Sequence, residues 1–257
     1  MQKKYFFFDI DGTLTDRATN EIIPSAKQAL EELQQKGHFV AIATGRAHYK
    51  ARPIMERLGL HNMVCAGGGA IVVDDQLISN RPLALEKAKQ IAIEADSLGL
   101  GVLFATKDSD EVISRDELFI KQVGKRQEPT TYRIDSKLAI EELEQIYKLY
   151  IALPQTSKIE LTTKELLPSL YYVPEYLMYQ IDEKDRGIRE LMAYLHAPTE
   201  DVVVFGDDTN DLVMFGQEWF SIAMGNGTKA LKDKADYITA TNLEDGIYKA
   251  CQHFGWI

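Results

Sequence analysis

The chain has few residues of the kinds that form disulfides or bind zinc. Its 257 residues include only two cysteines, Cys65 and Cys251, which lie far apart in the sequence. That number and spacing fit neither a disulfide framework nor a cysteine-based zinc site. The histidines are equally scattered, at positions 38, 48, 61, 196 and 253. We therefore do not expect a histidine-based metal site either.

An excess of positive charge is also missing. Lysine and arginine number 29 against 39 aspartate and glutamate residues, which gives a formal net charge of −10 at pH 7. The longest charged runs, such as DEKDR at 182–186, mix both signs and form no basic patch. Because an acidic surface repels phosphate backbones and anionic lipids, we expect neither a nucleic acid nor a membrane as a partner.

Long apolar runs are absent as well. The first residues, MQKKYFFFDI, contain an acidic residue within their apolar stretch, and no later run is long enough to cross a bilayer. This pattern predicts no signal peptide and no transmembrane segment, and it favours a cytoplasmic protein. The sequence leaves the oligomeric state open between a monomer and a homodimer.

Apolar strands alternate with helices at both ends of the chain. KYFFFDI and HFVAIAT (38–44) are apolar on both faces, and an amphipathic helix with Pro24 at its start and Gly37 at its end lies between them. DVVVFGD (201–207) and FSIAMG (220–225) repeat the pattern near the C-terminus. Such strands predict an α/β core, a Rossmann-like parallel sheet with helices on both faces.

The middle of the chain has a different pattern. From about Pro82 a helix precedes the alternating strands GVLFAT and EVISR, and a second predicted helix, SKLAIEELEQ, covers 136–145. Short tyrosine-rich strands follow up to residue 179. We therefore expect residues 82–182 to form an α+β cap domain, inserted into a core built from residues 1–81 and 183–257.

Polar residues stand at the ends of several predicted strands. Asp9 and Asp11 follow the first strand, Thr44 ends the second, and Asp207 follows VVVFG. A single aspartate at a strand end is usually a turn former or a helix cap. In parallel α/β sheets, however, ligands bind at the carboxyl ends of the strands, and carboxylates gathered there repel each other unless a cation lies among them. Oxygen ligands without nearby histidine or cysteine indicate Mg²⁺.

The two carboxylates of DIDGT can take separate roles. Gly12 helps the chain turn beyond the strand, so that Asp9 and Asp11 need not share a face. One carboxylate could attack a phosphorus atom while the other moves a proton. Gly12 also lets backbone N–H groups approach an anion closely.

Four ordered segments resemble the motifs of the haloacid dehalogenase superfamily. They are FFFDIDGTLTD, IATGR, DEKDRG and FGDDTND. Their order and spacing, and the large insert between the second and third segments, are similar to those of the Cof-type phosphatases, which carry a large α/β cap. The resemblance covers about residues 1–81 and 183–257, whereas the cap resembles the family only in position and pattern.

The resemblance implies a role for each motif residue. Asp9 would be the nucleophile that becomes an aspartyl phosphate, and Asp11 would act as general acid and then as general base. Mg²⁺ would be held by the carboxylates of Asp9 and Asp207 and by the main-chain carbonyl of Asp11, with Asp211 supporting the ion. Phosphate oxygens would be bound by the Ile10 backbone, Thr44, Gly45, Lys184 and Asn210.

Three features depart from the family pattern or leave a choice open. DEKDRG lacks the usual Lys-Gly pair, so Arg186 is an alternative to Lys184, although the position of Gly187 favours Lys184. CAGGGA (65–70) stands where relatives commonly have Asn-Gly, and we interpret it as a flexible turn. Arg46 of IATGR either contacts substrate or pairs with a nearby acid.

The resemblance implies a Mg²⁺-dependent phosphatase acting on small-molecule phosphate esters, with sugar phosphates as the expected class. A phosphosugar mutase of the same core is an alternative, and so is a phosphosugar-binding protein without catalysis, although a binder needs no proton-transferring carboxylate. A Rossmann-like nucleotide binder has less support, because DIDGT places negative charge where a pyrophosphate would bind.

Overall fold

The computed structural model describes residues 2–257, which divide into two compact units. The larger unit comprises the chain up to Asn80 together with Asp182–Ile257, and the smaller unit is Arg81–Ile181. None of the helices within residues 2–257 is long and apolar enough to span a membrane.

The secondary structure follows in chain order. The strands are β1 (Tyr5–Phe8), β2 (Phe39–Ala43), β3 (Met63–Cys65), β4 (Ala70–Val73), β5 (Gln76–Asn80), β6 (Val102–Ala105), β7 (Glu111–Ser114), β8 (Thr131–Ile134), β9 (Lys148–Ile151), β10 (Ser169–Val173), β11 (Tyr176–Tyr179), β12 (Val202–Gly206), β13 (Phe220–Ala223) and β14 (Tyr237–Ile238). The helices are α1 (Pro24–Gln35), α2 (His48–Arg57), α3 (Leu85–Ser97), α4 (Leu118–Val123), α5 (Lys184–Tyr194), α6 (Lys229–Lys232) and α7 (Gly246–His253).

The sheet of the larger unit is parallel over most of its width. Its strand order is β14-β13-β12-β1-β2-β3-β4-β5, and neighbouring strands run parallel from β14 to β3. At the other edge β4 and β5 pair antiparallel to their neighbours. The predicted parallel α/β core is confirmed, with this antiparallel edge as an addition.

Side chains of β1 alternate between two apolar layers. Phe6 and Phe8 are fully buried with residues of α1 and α7, whereas Phe7 is fully buried on the opposite face with residues of α5. Because successive strand residues point to opposite faces, an apolar run of this kind is stable only when helices cover both sides. The helices on both faces of the sheet are therefore as predicted.

The strand register brings the polar strand ends to one edge of the sheet. Phe8 lies opposite Ile42 of β2 and Phe205 of β12. Asp9, which follows β1, donates its backbone N–H to the Phe205 carbonyl at 3.0 Å. The residues that follow β1, β2 and β12 in the chain consequently lie along the same edge.

The smaller unit is built on a mostly antiparallel sheet. Its strand order is β10-β11-β9-β6-β7-β8, with only β7 and β8 parallel among the described strands. Residues of α3 pack on one face, and Phe119 of α4 packs on the other. Tyr176 and Tyr179 are buried in these layers, so this part of the tyrosine-rich segment belongs to the core of the unit.

The prediction of a helix at residues 136–145 is wrong. The segment forms only a short 3₁₀ turn at Ile140–Glu142. Glutamates at 141, 142 and 144 would lie at the C-terminal end of the predicted helix, where the helix dipole disfavours negative charge. The apolar spacing alone therefore did not decide the structure of this segment.

Candidate active site

Three buried carboxylates lie together at the polar edge of the larger sheet. Oxygen atoms of Asp9, Asp207 and Asp211 are all within 4.8 Å of one another. Asp9 follows β1, Asp207 follows β12, and Asp211 lies in the 3₁₀ segment Thr209–Met214. Buried carboxylates at this separation repel one another, so the arrangement requires positive charge in contact with it.

Lys184 supplies positive charge to this cluster. Its ammonium Nζ donates to Asp9 Oδ1 at 2.7 Å and to Asp211 Oδ1 at 2.6 Å, and its side chain is fully buried. Burial by itself lowers the pKa of Lys184, but Asp211 and Asp9 raise it above its ordinary value. The ammonium group therefore stays charged between the two carboxylates.

Arg186 lies outside this cluster. Its guanidinium is about half exposed and pairs with Glu183 and Glu190 along the surface of α5. Of the two cationic candidates in DEKDRG, Lys184 is thus the one in contact with Asp9.

The glycine-rich turn after β3 packs against the first residues of α5. The Gly67 carbonyl accepts a hydrogen bond from the Glu183 backbone N–H at 2.7 Å. Gly68 has a φ of +94°, and a Cβ built there would lie 2.0 Å from the Glu183 carbonyl oxygen. A Cβ on Gly187 would lie 2.5 Å from Val64 Cγ1. CAGGGA is therefore more than a flexible turn, because its glycines allow the backbone contact that positions Lys184.

Asp211 is fixed by backbone hydrogen bonds as well as by Lys184. Its Oδ2 accepts from the backbone N–H of Asp207 at 3.0 Å and of Asp208 at 3.2 Å. Asp208 completes a reciprocal capping interaction with Asp211 at the start of the 3₁₀ segment. This arrangement holds Asp211 directly beside the residue that follows β12.

Asp207 is held by residues that the sequence did not single out. Thr13 Oγ1 donates to Asp207 Oδ1 at 3.3 Å. Arg17 donates to Oδ2 from Nε at 3.2 Å, with Nη2 at 2.9 Å. Asn226 Nδ2 lies 3.4 Å from the same oxygen and donates to the Gly12 carbonyl at 2.8 Å. Of these three residues, only Thr13 could have been found from the sequence, because it belongs to the DIDGT motif.

The environment makes two of the carboxylates costly to ionise. Burial raises the pKa of Asp9 to about 7, an effect strengthened by the charge of Asp211 and opposed by Lys184. Burial likewise raises the pKa of Asp207 to about 7, opposed by Arg17 and strengthened by Asp211 and Asp208. A cation placed among these oxygens would stabilise the ionised forms.

The Asp11 carboxylate pairs with Arg46 and is not one of the three clustered carboxylates. Arg46 donates from Nε to Asp11 Oδ2 at 3.0 Å and from Nη2 to Oδ1. The Asp11 side chain is 40% exposed, in contrast to the buried cluster. Of the two roles considered for Arg46, the structure shows the pairing with an acid.

The remaining predicted phosphate-binding residues lie at the same edge with different exposures. Thr44 is buried, and its Oγ1 accepts from the Arg46 backbone N–H at 3.2 Å, while Gly45 between them is partly buried. Ile10 is buried, and its carbonyl accepts from the Leu14 and Thr15 backbone N–H groups at 3.0 Å. Asn210 lies in the 3₁₀ segment with an exposed side chain.

The chemistry of the cluster fits a hard divalent cation. Its donors are carboxylate oxygens alone, three of them converge within 4.8 Å, and they are buried. Mg²⁺ prefers oxygen ligands and is commonly held by one or two carboxylates. The residues present therefore fit the Mg²⁺ site that the motif resemblance implies.

Comparison with known proteins shows the family of the chain. The sequence profile of the haloacid dehalogenase-like hydrolases matches residues 6–251. The chain belongs to this family. Within it, the chain is similar to YkrA of Bacillus subtilis, a candidate phosphatase by name, with 30% identity over 256 residues that cover 99% of each protein.

Two further proteins show the extent of the similarity. YitU of Bacillus subtilis, named as a 5-amino-6-(5-phospho-D-ribitylamino)uracil phosphatase, is 26% identical over 96% of this chain and 95% of its own length. The solved structure of BT4131, described as a subclass IIB sugar phosphatase, superposes with a TM-score of 0.77 at 26% identity, covering 99% of this chain and 100% of that one. These matches confirm the family resemblance, and the protein is a phosphatase of the haloacid dehalogenase-like hydrolases.

Proposed function

We propose that the protein is a Mg²⁺-dependent phosphatase that hydrolyses phosphomonoesters of small metabolites through an aspartyl phosphate on Asp9. The observation that carries the proposal is the buried cluster of Asp9, Asp207 and Asp211, with the Lys184 ammonium in contact with Asp9. A nucleophilic carboxylate must approach a phosphate of the same charge, and Lys184 together with the cation that the carboxylates would hold supplies the compensating positive charge.

The proposed reaction has two steps. Asp9 attacks the phosphorus atom, the bond to the leaving oxygen breaks, and Asp11 donates a proton to that oxygen. Asp11 then takes a proton from a water molecule whose oxygen attacks the same phosphorus, which releases inorganic phosphate and restores Asp9. Arg46 orients Asp11 for both proton transfers through its two-point contact.

The other site residues bind and neutralise charge. The carboxylates of Asp9 and Asp207 and the main-chain carbonyl of Asp11 would hold Mg²⁺, with Asp211 in support. When bound, the ion offsets negative charge on the phosphoryl group, most of all at the transition state. Phosphate oxygens would be bound by the Ile10 backbone, Thr44, Gly45, Lys184 and Asn210.

Sugar phosphates are the proposed substrate class. The similar solved structure is described as that of a sugar phosphatase, and the name of YitU contains a phosphorylated ribityl chain, which is also a polyhydroxylated phosphate ester. A small phosphorylated metabolite is consequently the proposed partner of the site. The cytoplasmic location, and the choice between monomer and homodimer, stay predictions.

A phosphate-release screen against a panel of sugar and cofactor phosphates tests this proposal. The wild type should release inorganic phosphate with MgCl₂ and lose that activity with EDTA. Asp9→Asn should be inactive but folded, whereas Asp74→Asn, a control at an exposed turn, should keep full activity. Release of phosphate by Asp9→Asn at the wild-type rate would contradict the assigned nucleophile, and isomerised sugar phosphate without release would indicate a mutase.

Trapping the covalent intermediate tests the mechanism separately. Rapid acid quench during turnover should leave one phosphoryl group on the peptide that contains Asp9, detectable by mass spectrometry. Asp11→Asn should increase the trapped amount with a substrate whose leaving group needs no proton, because the second step then lacks its base. Turnover without any phosphorylated peptide in either protein would argue for direct attack by water.

A further inference from the structure

Arg17 contacts the metal-binding edge, although the family motifs give it no role. Its guanidinium Nη2 lies 2.9 Å from Asp207 Oδ2 and 2.7 Å from Asp208 Oδ2. The Arg17 side chain is 51% exposed, whereas the Asp207 side chain is 3% exposed. A half-exposed cation therefore contacts a buried carboxylate of the Asp9, Asp207 and Asp211 cluster.

A cavity beside this contact gives the guanidinium room to move. It has a volume of about 260 Å³ and is lined in part by Asp16, Arg17, Asp207 and Asp208. Because Asp208 is itself partly exposed, Arg17 can leave Asp207 and keep its contact with Asp208. The acidic lining keeps the displaced guanidinium in favourable surroundings.

The charge of Arg17 opposes that of a divalent cation on the same carboxylate. Two cations in contact with one buried carboxyl group repel each other, and burial reduces the screening of that repulsion by solvent. The positive charge of Arg17 would therefore oppose the binding of a divalent ion at Asp207.

We propose that Arg17 is a built-in counter-cation that competes with Mg²⁺ for Asp207 and so sets the metal affinity of the site. The inference rests on the proposed function, since it requires that the carboxylate cluster binds Mg²⁺. Orientation of Asp207 does not require Arg17, because Thr13 holds Oδ1 and Asn226 lies near Oδ2. Removing the guanidinium charge should therefore tighten metal binding.

Metal titration of Arg17→Gln tests the inference. Mn²⁺ binding would be measured by electron paramagnetic resonance of the free ion, and Mg²⁺ binding by its effect on the melting temperature, at constant ionic strength and alkaline pH. Arg17→Gln should bind both ions roughly tenfold more tightly than the wild type. The figure follows from the shift of about one pKa unit or more that one nearby opposite charge causes at a carboxylate. High salt should reduce that difference, since Arg17 is partly exposed.

Matched variants separate the possible outcomes. Arg52→Gln removes an exposed arginine that pairs with Glu56 on α2, and its metal affinity should equal that of the wild type. Arg17→Lys keeps the charge without the two-point contact and should lie between wild type and Arg17→Gln. Should Arg17→Gln fail to fold, Arg17→Met provides the same neutral test at this half-exposed position.

The result that overturns the inference is a metal affinity in Arg17→Gln that equals or falls below that of the wild type. A weaker affinity would show instead that Arg17 positions Asp207 for the ion. Failure of the proposed function would give a different result. The wild type would then bind neither Mn²⁺ nor Mg²⁺, and Asp207→Asn would show the same absence of metal binding.

Discussion

Arg46 holds Asp11 through two nitrogens of its guanidinium, with Nε donating to Oδ2 at 3.0 Å and Nη2 donating to Oδ1. Arg46 follows β2 and Asp11 follows β1, so the pair links the ends of neighbouring parallel strands. The planar fork of arginine matches a carboxylate at both oxygens, which fixes the direction of the carboxyl group as well as its place.

Arg46→Ala should therefore lower kcat by about 10²-fold, because a displaced catalytic group costs roughly that much. Arg46→Lys should recover only part of the loss, since an ammonium group makes no two-point contact. Steady-state phosphate release measures both variants, with Arg52→Ala as the control on the exposed surface of α2. Wild-type kcat in Arg46→Ala would mean that Asp11 needs no orientation by Arg46.

Lys184 and Arg186 provide a matched pair of cations in one motif. Lys184→Met should reduce kcat by about 10² to 10³-fold through loss of charge at the site. It should also destabilise the metal-free protein by about 3–5 kcal/mol, because the carboxylates of Asp9 and Asp211 lose their buried partner. Arg186→Met at the exposed helix surface should change stability by less than about 0.5 kcal/mol.

Phosphate release and urea unfolding with EDTA measure these effects. Equal loss of activity in Lys184→Met and Arg186→Met would mean that Arg186 also contributes to phosphate binding.

Stabilisation by Mg²⁺ should increase with pH. In the absence of metal, burial raises the pKa values of Asp9 and Asp207 from 3.8 to about 7. The folded metal-free protein thus favours the protonated carboxyl groups and loses stability as pH rises from about 4 through 7. A bound cation favours the ionised groups, so its stabilising effect grows over the same window.

The difference in melting temperature between MgCl₂ and EDTA, measured from about pH 5 to pH 8, checks the sign. Calorimetry in two buffers should show proton release when Mg²⁺ binds at about pH 6.5. A melting-temperature difference that stays constant across the window would contradict the raised pKa values.

Gly68→Ala tests the contact between the glycine turn and α5. A Cβ at Gly68 would lie 2.0 Å from the Glu183 carbonyl oxygen, and the backbone φ of +94° already disfavours alanine. We expect a loss of about 3 kcal/mol or more in stability, together with lower activity, because relief of the clash moves the residue before Lys184.

Gly37→Ala is the matched control for this substitution. Gly37 has a similar φ of +85°, but a Cβ there meets no atom within 4 Å. It should cost about 1–2 kcal/mol from backbone strain alone and leave kcat unchanged. Chemical unfolding and phosphate release distinguish the two, and equal effects of both substitutions would count against a packing role for Gly68.

Glu94 of α3 in the smaller unit forms hydrogen bonds with residues 162 and 163. Its carboxylate accepts hydrogen bonds from the backbone N–H and the Oγ1 of both Thr162 and Thr163. The side-chain hydrogen bond from Thr163 is the largest cause that lowers the pKa of Glu94 from 4.5 to about 2. Since the folded-state pKa is depressed, the stabilisation is complete above 4.5 and is lost as pH falls towards 2.

Glu94→Gln should consequently lower the free energy of unfolding at neutral pH by about 1 kcal/mol, a figure reduced for the solvent exposure of the group. The difference from wild type should shrink as pH falls from 4.5 to about 2. Urea unfolding over this range measures the effect, and Glu175→Gln at an exposed turn is the control. A difference that does not vary with pH would assign the effect to packing.

The fold class could be predicted because the hydrophobic pattern within short segments indicates it. Strands that are apolar on both faces, such as Tyr5–Phe8 and Val202–Gly206, are stable only inside a sheet covered on two sides. Other elements lacked such a signal. Strand β5 (Gln76–Asn80) is a partly exposed edge strand with polar residues, and the segment 136–145 had helical spacing without the charge distribution of a helix.

Apolar patterning was enough to predict that Asp9 and Asp207 directly follow buried strands, and the parallel topology places such residues at one edge of a sheet. The groups that contact these two carboxylates could not be predicted in the same way. Lys184 reaches Asp9 across 175 positions of the chain, and Arg17 reaches Asp207 across 190. Contacts between residues so far apart depend on how strands, turns and helices pack, and periodicity within a short segment contains no information about that packing.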